Sequence, residues 1–152
     1  MIEVTRDDLI RLCAPIAAVA ARLGTTDGAA LEAALDALST DELEATALAA
    51  HAAGWLTPKE AGGVRFGRIS RPSADTHGHS IDAVDMDGPA AGAHTHPRGE
   101  VELCIDLIGQ PAFDGRRARF QSYPPGSRHV PTVSGGRMLI LYFLPGGEID
   151  FG

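Results

Sequence analysis

One stretch of the chain, Gly88–Gly109, carries most of the residue types that bind metal ions. It contains His94 and His96 in an H-x-H pair, followed by Glu100 and Glu102. In an extended strand, alternate side chains point to the same face and lie about 7 Å apart. Two imidazoles at that spacing can converge on one ion. A nitrogen and oxygen ligand set of this kind suits Zn, Fe, Mn, Co or Ni.

A second stretch, Tyr123–His129, supplies one more imidazole. Its sequence is Y-P-P-G-S-R-H, a turn that delivers His129. We expect the two stretches to meet inside a small β-barrel. The predicted ligands of a divalent transition metal are then His94, His96, a glutamate and His129, with positions left open for water or substrate.

The rest of the chain divides into a helical segment, residues 1–54, and a strand-rich segment, residues 55–152. Apolar residues from Leu9 to Leu23 recur at helical spacing, with Pro15 predicting a kink or break, and about three helices are expected. Beyond residue 54, six to eight short strands alternate with Gly and Pro turns, which is typical of a sandwich or barrel. The expected strands are 64–69, 80–86, 94–96, 100–108, 119–123, 130–133 and 137–144.

Composition narrows the class of protein. The 152 residues carry a net charge of −7 with no basic stripe, which argues against nucleic-acid binding. No apolar run is long enough for a membrane span, and the N-terminus lacks the pattern of a signal peptide. Two isolated cysteines, Cys13 and Cys104, fit reduced core thiols in a cytoplasmic protein. One compact unit of this size is expected.

The metal-binding pattern resembles that of the cupin superfamily. Its first motif, G-x5-H-x-H-x3,4-E-x6-G, fits Gly88, His94 and His96. Its second, P-x-G-x2-H-x3-N, fits Pro124 to His129, with Val133 in place of the asparagine. The carboxylate position is ambiguous: Glu100 has the right spacing from His96, whereas Glu102 has the right spacing to Gly109. The resemblance implies a mainly β fold with α, a single cupin (a jelly-roll β-barrel) preceded by the helical segment.

A longer pattern from Trp55 onward resembles the 4-hydroxylaminobenzoate lyase family. It comprises the runs GWLTPKEAGGVRFGRIS, AVDMDGPAAGAHTHPRGEVELCIDLIG and SYPPGSRHVPTVSGGRMLILYFLPGGEIDF. The resemblance implies conversion of 4-hydroxylaminobenzoate and water to 3,4-dihydroxybenzoate (protocatechuate) and ammonia, in nitroaromatic degradation.

Under that resemblance, several side chains acquire expected roles. Whichever of Glu100 and Glu102 is not a ligand is the expected proton shuttle, since a carboxyl beside a carboxylate has a raised pKa. Tyr123 would donate a hydrogen bond to a departing oxygen. The substrate carboxylate calls for an arginine fork, for which the candidates are Arg65, Arg68 and Arg128.

Other interpretations stay open from the sequence. The protein could be another metal-dependent cupin enzyme, a dioxygenase or an isomerase, or a non-catalytic cupin that binds a small molecule. His77 and His79 form a second H-x-H, which we interpret as a pair of surface residues. Exposed strand edges and the apolar helical stripe predict a homodimer.

Overall fold

Three helices form the first third of the chain in the computed structural model, which describes residues 3–90 and 92–151. The first helix begins with a capping box, in which Thr5 and Asp8 each accept a hydrogen bond from the other's backbone N–H. It continues without a break past Pro15, whose ring lies on the exposed side of the helix. The helices are α1 (Arg6–Leu23), α2 (Gly28–Asp36) and α3 (Asp41–Ala52).

Eight strands follow, and their hydrogen bonds arrange them in two antiparallel sheets. The larger sheet has the order β1-β2-β3-β8-β5-β6, and β4 pairs with β7 in the smaller one. The strands are β1 (Lys59–Ala61), β2 (Val64–Ser70), β3 (His79–Met86), β4 (His94–His96), β5 (Glu100–Phe113), β6 (Phe120–Tyr123), β7 (Ser127–His129) and β8 (Val133–Pro145).

One face of the larger sheet is apolar and packs against the helices. Val101, Leu103 and Ile105 of β5 point to this face, and they share a buried core with residues of all three helices. The stripe on α1 contributes to that core, where Leu9 and Ile16 are fully or almost fully buried. The stripe that suggested a dimer surface therefore lies largely inside the protein, and the homodimer stays a prediction.

The opposite face of the larger sheet carries the polar side chains. Glu100, Glu102 and Cys104 of β5 point to it, and the register places Tyr142 of β8 directly opposite Glu102. The sheet formed by β4 and β7 lies over this face, with ring atoms of His96 within 3.1 Å of the carboxylate of Glu100. Polar groups are thus enclosed between the two sheets.

The turn between β4 and β5 sets the distance between the histidines and the glutamates. Gly99 has φ +85°, and a Cβ there would lie 2.0 Å from Oγ1 of Thr25 and 2.8 Å from the carbonyl oxygen of Tyr123. Its backbone N–H donates to the carbonyl of His96 at 3.1 Å. Only glycine meets both the backbone conformation and the close approach of the helical segment.

The predicted fold class is confirmed: the protein is mainly β, with three helices first. Two strand predictions were wrong. β5 does not end at Gly109 but bends through a register shift and continues to Phe113. The short strand expected at 130–133 lies earlier, at Ser127–His129, because those residues pair with His94–His96. None of the helices in the described residues is both long and apolar enough to cross a membrane.

An ion cluster on the helix-facing side connects α3 to the sheet. The carboxylate of Asp85 on β3 accepts hydrogen bonds from Nε of Arg137 at 2.6 Å and from Nε2 of His51 at 2.8 Å. Burial alone would raise the pKa of Asp85, but the hydrogen bonds from Arg137 and His51 outweigh burial and lower that pKa below its usual value.

Asp85→Asn should lower the free energy of unfolding by about 2 kcal/mol at pH 7, because two charge-assisted hydrogen bonds are lost. A carboxyl with a lowered folded-state pKa stabilises the protein above its unfolded-state pKa of about 3.9, and this contribution disappears as the pH falls through the folded-state value. Urea unfolding of both proteins at pH 7 and pH 3 measures the effect. A difference that stays constant with pH would contradict it, and Asp106→Asn, which removes an exposed carboxylate, is the control.

Candidate active site and metal centre

Three side chains from three strands converge between the two sheets. Nε2 of His96 and Nε2 of His129 lie 2.9 Å apart. Oε2 of Glu100 lies 3.1 Å from the first nitrogen and 3.4 Å from the second. All three candidate ligand atoms therefore fall within 4.8 Å of one another. The structure brings together His96, Glu100 and His129 from the predicted ligand set, with Glu100 and not Glu102 as the carboxylate of the group.

His94 lies beside this group but outside it. It shares a face of the smaller sheet with His96 and pairs directly across the strands with His129. The ring centroids of His94 and His96 are 6.3 Å apart, and the ring of Phe151 packs edge-on against His94 at 4.7 Å. His94 stays a predicted ligand, positioned toward the open side of the group.

The converging side chains fit a divalent metal ion. Glu100 is 1% exposed, yet its Oε2 has no hydrogen-bond partner among the described residues, and Nε2 of the completely buried His96 faces Nε2 of His129. Buried polar atoms without partners are costly, and two imidazole nitrogens that face each other cannot both be used as donors. A cation bound by the two nitrogens and the carboxylate would interact with the lone pairs of all three groups.

The surroundings shift the pKa values of the three histidines in different directions. Burial lowers the pKa values of His94 and His96, which favours the neutral rings that bind metals. Burial acts in the same direction on His129, but hydrogen bonds to Asp114 and Glu100 outweigh it and raise the pKa of His129 to about 9. Carboxylates on both sides of its ring hold His129 in place.

Glu102 is the second glutamate on this face of β5. It is completely buried, and neither of its oxygens has a hydrogen-bond partner among the described residues. Burial, with a further contribution from the charge of Glu100, raises the pKa of Glu102 well above its usual value. The two glutamates that the sequence could not separate therefore differ: Glu100 lies in the metal-type group, whereas Glu102 lies outside it and has a raised pKa.

A cavity of about 1140 Å³ opens from the group toward β2. Glu100, His94 and Tyr142 line its inner end, and Arg68 lines the far side, where it forms an ion pair with Asp82 at 2.9 Å. The walls between these ends are apolar and include Phe66, Val84, Met86, Ile149 and Phe151. The cavity thus combines an apolar middle with polar groups at two ends, as small-molecule sites generally do.

The three candidate arginines have different surroundings. Arg68 lines the cavity, whereas Arg65 lies on the helix-facing side of the sheet, in a depression that also contains Asp85. Arg128 points away from the histidine that follows it and donates to Oγ1 of Thr95 at 3.0 Å. The structure does not bring Arg65 or Arg128 to the cavity, because alternate residues of a strand face opposite ways.

Tyr123 also differs from the expectation. Its hydroxyl donates to Oδ2 of Asp114, and its ring stacks against His129 with centroids 4.2 Å apart. The hydroxyl therefore supports His129 from behind instead of facing the cavity. Tyr142 occupies the cavity wall in its place.

Sequence reasoning missed two of these residues. Tyr142 lies in the apolar run of β8. Its pairing with Glu102, which puts both side chains on the same face of the sheet, is the signal that could have found it. Asp114 precedes Gly115 in a sequence typical of a turn, and nothing in its spacing links it to His129. The surface interpretation of the second H-x-H was wrong for His79, which is 3% exposed and bonds through Nδ1 to the carbonyls of Thr76 and His77.

Comparison with known proteins agrees with this geometry. The sequence profile of the 4-hydroxylaminobenzoate lyase family matches residues 17–151. The chain belongs to this family. The 4-hydroxylaminobenzoate lyase of Pseudomonas putida is 31% identical, over 66% of this chain and 66% of its own length. That of Nocardioides sp. (strain LMS-CY) is 33% identical, over 64% of this chain and 63% of its own length.

The chain thus spans slightly less than two thirds of the curated relatives it matches. Among solved structures, an RmlC-like cupin from Ralstonia eutropha JMP134 has a TM-score of 0.45 at 13% identity, covering 59% of each chain. An oxalate oxidase in complex with glycolate has a TM-score of 0.43 at 18% identity, covering 61% of this chain and 57% of the other. The resemblance to the lyase family is confirmed by the family match.

Substitutions of the two glutamates should differ in their effect on metal affinity. Glu100→Gln removes the only carboxylate of the three-residue group and should weaken binding by roughly 100-fold or more, since even residues that merely support a ligand contribute 10- to 100-fold. Glu102→Gln places an amide of the same shape outside the three-residue group and should leave the affinity close to that of the unaltered protein. Competition between the protein and a chelator for Zn²⁺ and Co²⁺ measures both. The reverse order of effects would assign the ligand to Glu102.

Proposed function

We propose that the protein is a metal-dependent lyase that converts 4-hydroxylaminobenzoate and water to 3,4-dihydroxybenzoate and ammonia. One observation carries the proposal: in a member of the 4-hydroxylaminobenzoate lyase family, a buried His96–Glu100–His129 group opens on a cavity that has a cation at its far side. The group would activate the reacting end of the substrate, and the cation would bind the carboxylate at the other end.

The reaction is balanced without an external oxidant. The N–O bond breaks and the hydroxyl leaves with one proton as water. A second water forms a C–O bond at the ring carbon adjacent to the one that bears the nitrogen. A third water then hydrolyses the C=N bond, ammonia leaves, and loss of the ring proton restores the aromatic ring. One water is consumed in total, and reduction of nitrogen offsets oxidation of the ring.

Glu102 is the proposed source of the proton for the departing hydroxyl. Burial raises its pKa, which favours the protonated form, and its neighbours on the same face of the sheet, Glu100 of β5 and Tyr142 of β8, both line the cavity. The carboxylate that forms on Glu102 is the proposed acceptor for the ring proton at the end of the sequence. General acid–base assistance of this kind contributes about 10²- to 10⁴-fold to a rate.

His96, Glu100 and His129 are the proposed ligands, with His94 as a fourth. A divalent ion bound there would supply Lewis-acid chemistry, which polarises an oxygen-containing bond and makes water more acidic. The buried ligands exclude bulk water, and the apolar walls of the cavity would hold the aromatic ring between the metal group and Arg68. The ring of Phe151, which is 69% exposed at the cavity edge, offers an aromatic contact.

A direct assay tests the reaction. Purified protein loaded with a divalent metal is incubated with 4-hydroxylaminobenzoate in air and under nitrogen, and dihydroxybenzoate and ammonia are quantified. The expected result is one ammonia per dihydroxybenzoate at the same rate in both atmospheres. Turnover that requires oxygen would instead indicate a dioxygenase, and substrate binding without turnover would indicate a binding protein. In the same assay, Glu102→Gln should lower kcat by about 100-fold or more while the bound metal is retained.

Arg68 is the proposed partner of the substrate carboxylate. Arg68→Met should raise KM by roughly 10- to 100-fold with a smaller change in kcat, because a charge-assisted hydrogen bond of about 1.5–3 kcal/mol is lost. The same variant should show little change with hydroxylaminobenzene, which lacks the carboxylate. Steady-state kinetics of Arg68→Met, Arg65→Met and Arg128→Met gives the comparison. A larger rise in KM for either of the other two variants would show that Arg68 has been assigned wrongly.

A role in the breakdown of nitroaromatic compounds, a cytoplasmic location and a homodimeric state complete the proposal. The described residues include a free strand edge at β1, the outermost strand of the larger sheet, which supports self-association. Light scattering at micromolar protein concentration tests the dimer, and a single monomeric species would remove it.

A further inference from the structure

Asp114 contacts the metal-type group from behind. It lies in the turn that follows β5. Its Oδ2 accepts a hydrogen bond from Nδ1 of His129 at 2.6 Å and another from the hydroxyl of Tyr123. Its Oδ1 accepts from the backbone N–H of Thr132 at 2.9 Å. The two carboxylate oxygens thus join β6, β7 and the segment that leads into β8.

The position of this carboxylate is set by the backbone. Asp114 has φ +49°, a conformation that Asp and Asn adopt more readily than other non-glycine residues. The backbone N–H of Asp114 donates to the carbonyl of Thr132 at 2.8 Å, so main chain and side chain both bond to the same residue. With 18% of its side chain exposed, the carboxylate is largely shielded from water.

The contact decides which nitrogen of His129 is available. Because Nδ1 donates to Asp114, Nε2 is the atom that faces Nε2 of His96 and the carboxylate of Glu100. The ring of His129 is also held by Tyr123, which stacks at 4.2 Å, and by Phe113, which packs edge-on at 6.2 Å. His96 has no comparable partner, since its Nδ1 is without a hydrogen bond among the described residues.

A carboxylate suits this position and an amide does not. The groups that point at Asp114 are all donors: the N–H of Thr132, the hydroxyl of Tyr123 and the ring N–H of His129. A carboxylate accepts at both oxygens, whereas an Asn accepts at one and places an NH₂ group against a donor at the other. Asp114→Asn would keep the size and the turn conformation but lose either the bond to Thr132 or those to His129 and Tyr123.

We infer that Asp114 is a positioning residue for metal binding: it holds the ring of His129 through Nδ1 so that Nε2 points at the ligand group. The inference rests on the metal-binding part of the proposed function and adds a residue that neither the ligand set nor the cavity includes. Carboxylates that orient a ligating histidine in this way usually raise metal affinity by about 10- to 100-fold.

The test measures metal affinity, not turnover. Chelator competition with Zn²⁺ should show binding to Asp114→Asn that is roughly 10- to 100-fold weaker than to the unaltered protein. Asp106→Asn, which removes an exposed carboxylate from β5, the strand that precedes Asp114, is the matched control and should bind normally. Tyr123→Phe removes one donor but leaves the bond between Asp114 and His129, and it should lose less affinity than Asp114→Asn. Equal affinity of Asp114→Asn and the unaltered protein, or equal losses in both aspartate variants, would overturn the inference.

A second measurement needs no variant and covers the case in which Asp114→Asn does not fold. In the Co²⁺-loaded unaltered protein, proton NMR should show a strongly shifted, solvent-exchangeable signal from Nδ1–H of His129 that exchanges slowly because it is bonded to Asp114. Absence of a slowly exchanging signal would overturn the inference while leaving metal binding intact. Failure of the unaltered protein to bind Zn²⁺ or Co²⁺ would instead remove the metal-dependent function and the inference with it. Metal binding without lyase activity would refute only the proposed reaction.

Discussion

The site depends on the enclosure of His96, Glu100 and His129 between two sheets with too few protein partners to satisfy them. Nε2 of each histidine and Oε2 of Glu100 face one another beside the cavity, and His96 and Glu100 are almost completely buried. Interiors tolerate such polar groups only when something else compensates for the lost hydration. A divalent ion would supply that compensation, so folding of the two sheets and metal binding are expected to stabilise each other.

The larger sheet makes the enclosure possible because one of its faces is apolar and the other carries polar side chains. On one face, alternate residues of β5 and β8 join the helices in a continuous apolar core. On the other face, the intervening residues place Glu100, Glu102 and Tyr142 beneath β4 and β7. A shift of one residue in the register of β5 would exchange these sets, placing carboxylates against the helices. The apolar core therefore also fixes the chemistry of the polar face.

Much of the candidate metal site could be predicted from the sequence, because its residues lie in short local patterns. The H-x-H pair, the glutamates at strand spacing and His129 after the P-P-G turn are encoded within short stretches, and their meeting follows from the cupin motifs. The division between Glu100 and Glu102 could not be predicted, since both point to the same face and both are buried, and only the position of His96 and His129 beside Glu100 separates their roles. The surroundings of Arg65, Arg68 and Arg128 depend on which face of a strand is covered. Asp114 reaches His129 across 15 residues of sequence, through a turn whose geometry no spacing reveals.

The central claim is that His96, Glu100 and His129 bind one divalent metal ion at the head of the substrate cavity. Diffraction from crystals of the metal-loaded protein, recorded on both sides of the absorption edge of the metal, tests it directly. The account predicts one anomalous peak about 2.0–2.2 Å from Nε2 of His96, Nε2 of His129 and a carboxylate oxygen of Glu100. A peak at other side chains, or no peak at this group in crystals of protein shown to be loaded with metal, would contradict it.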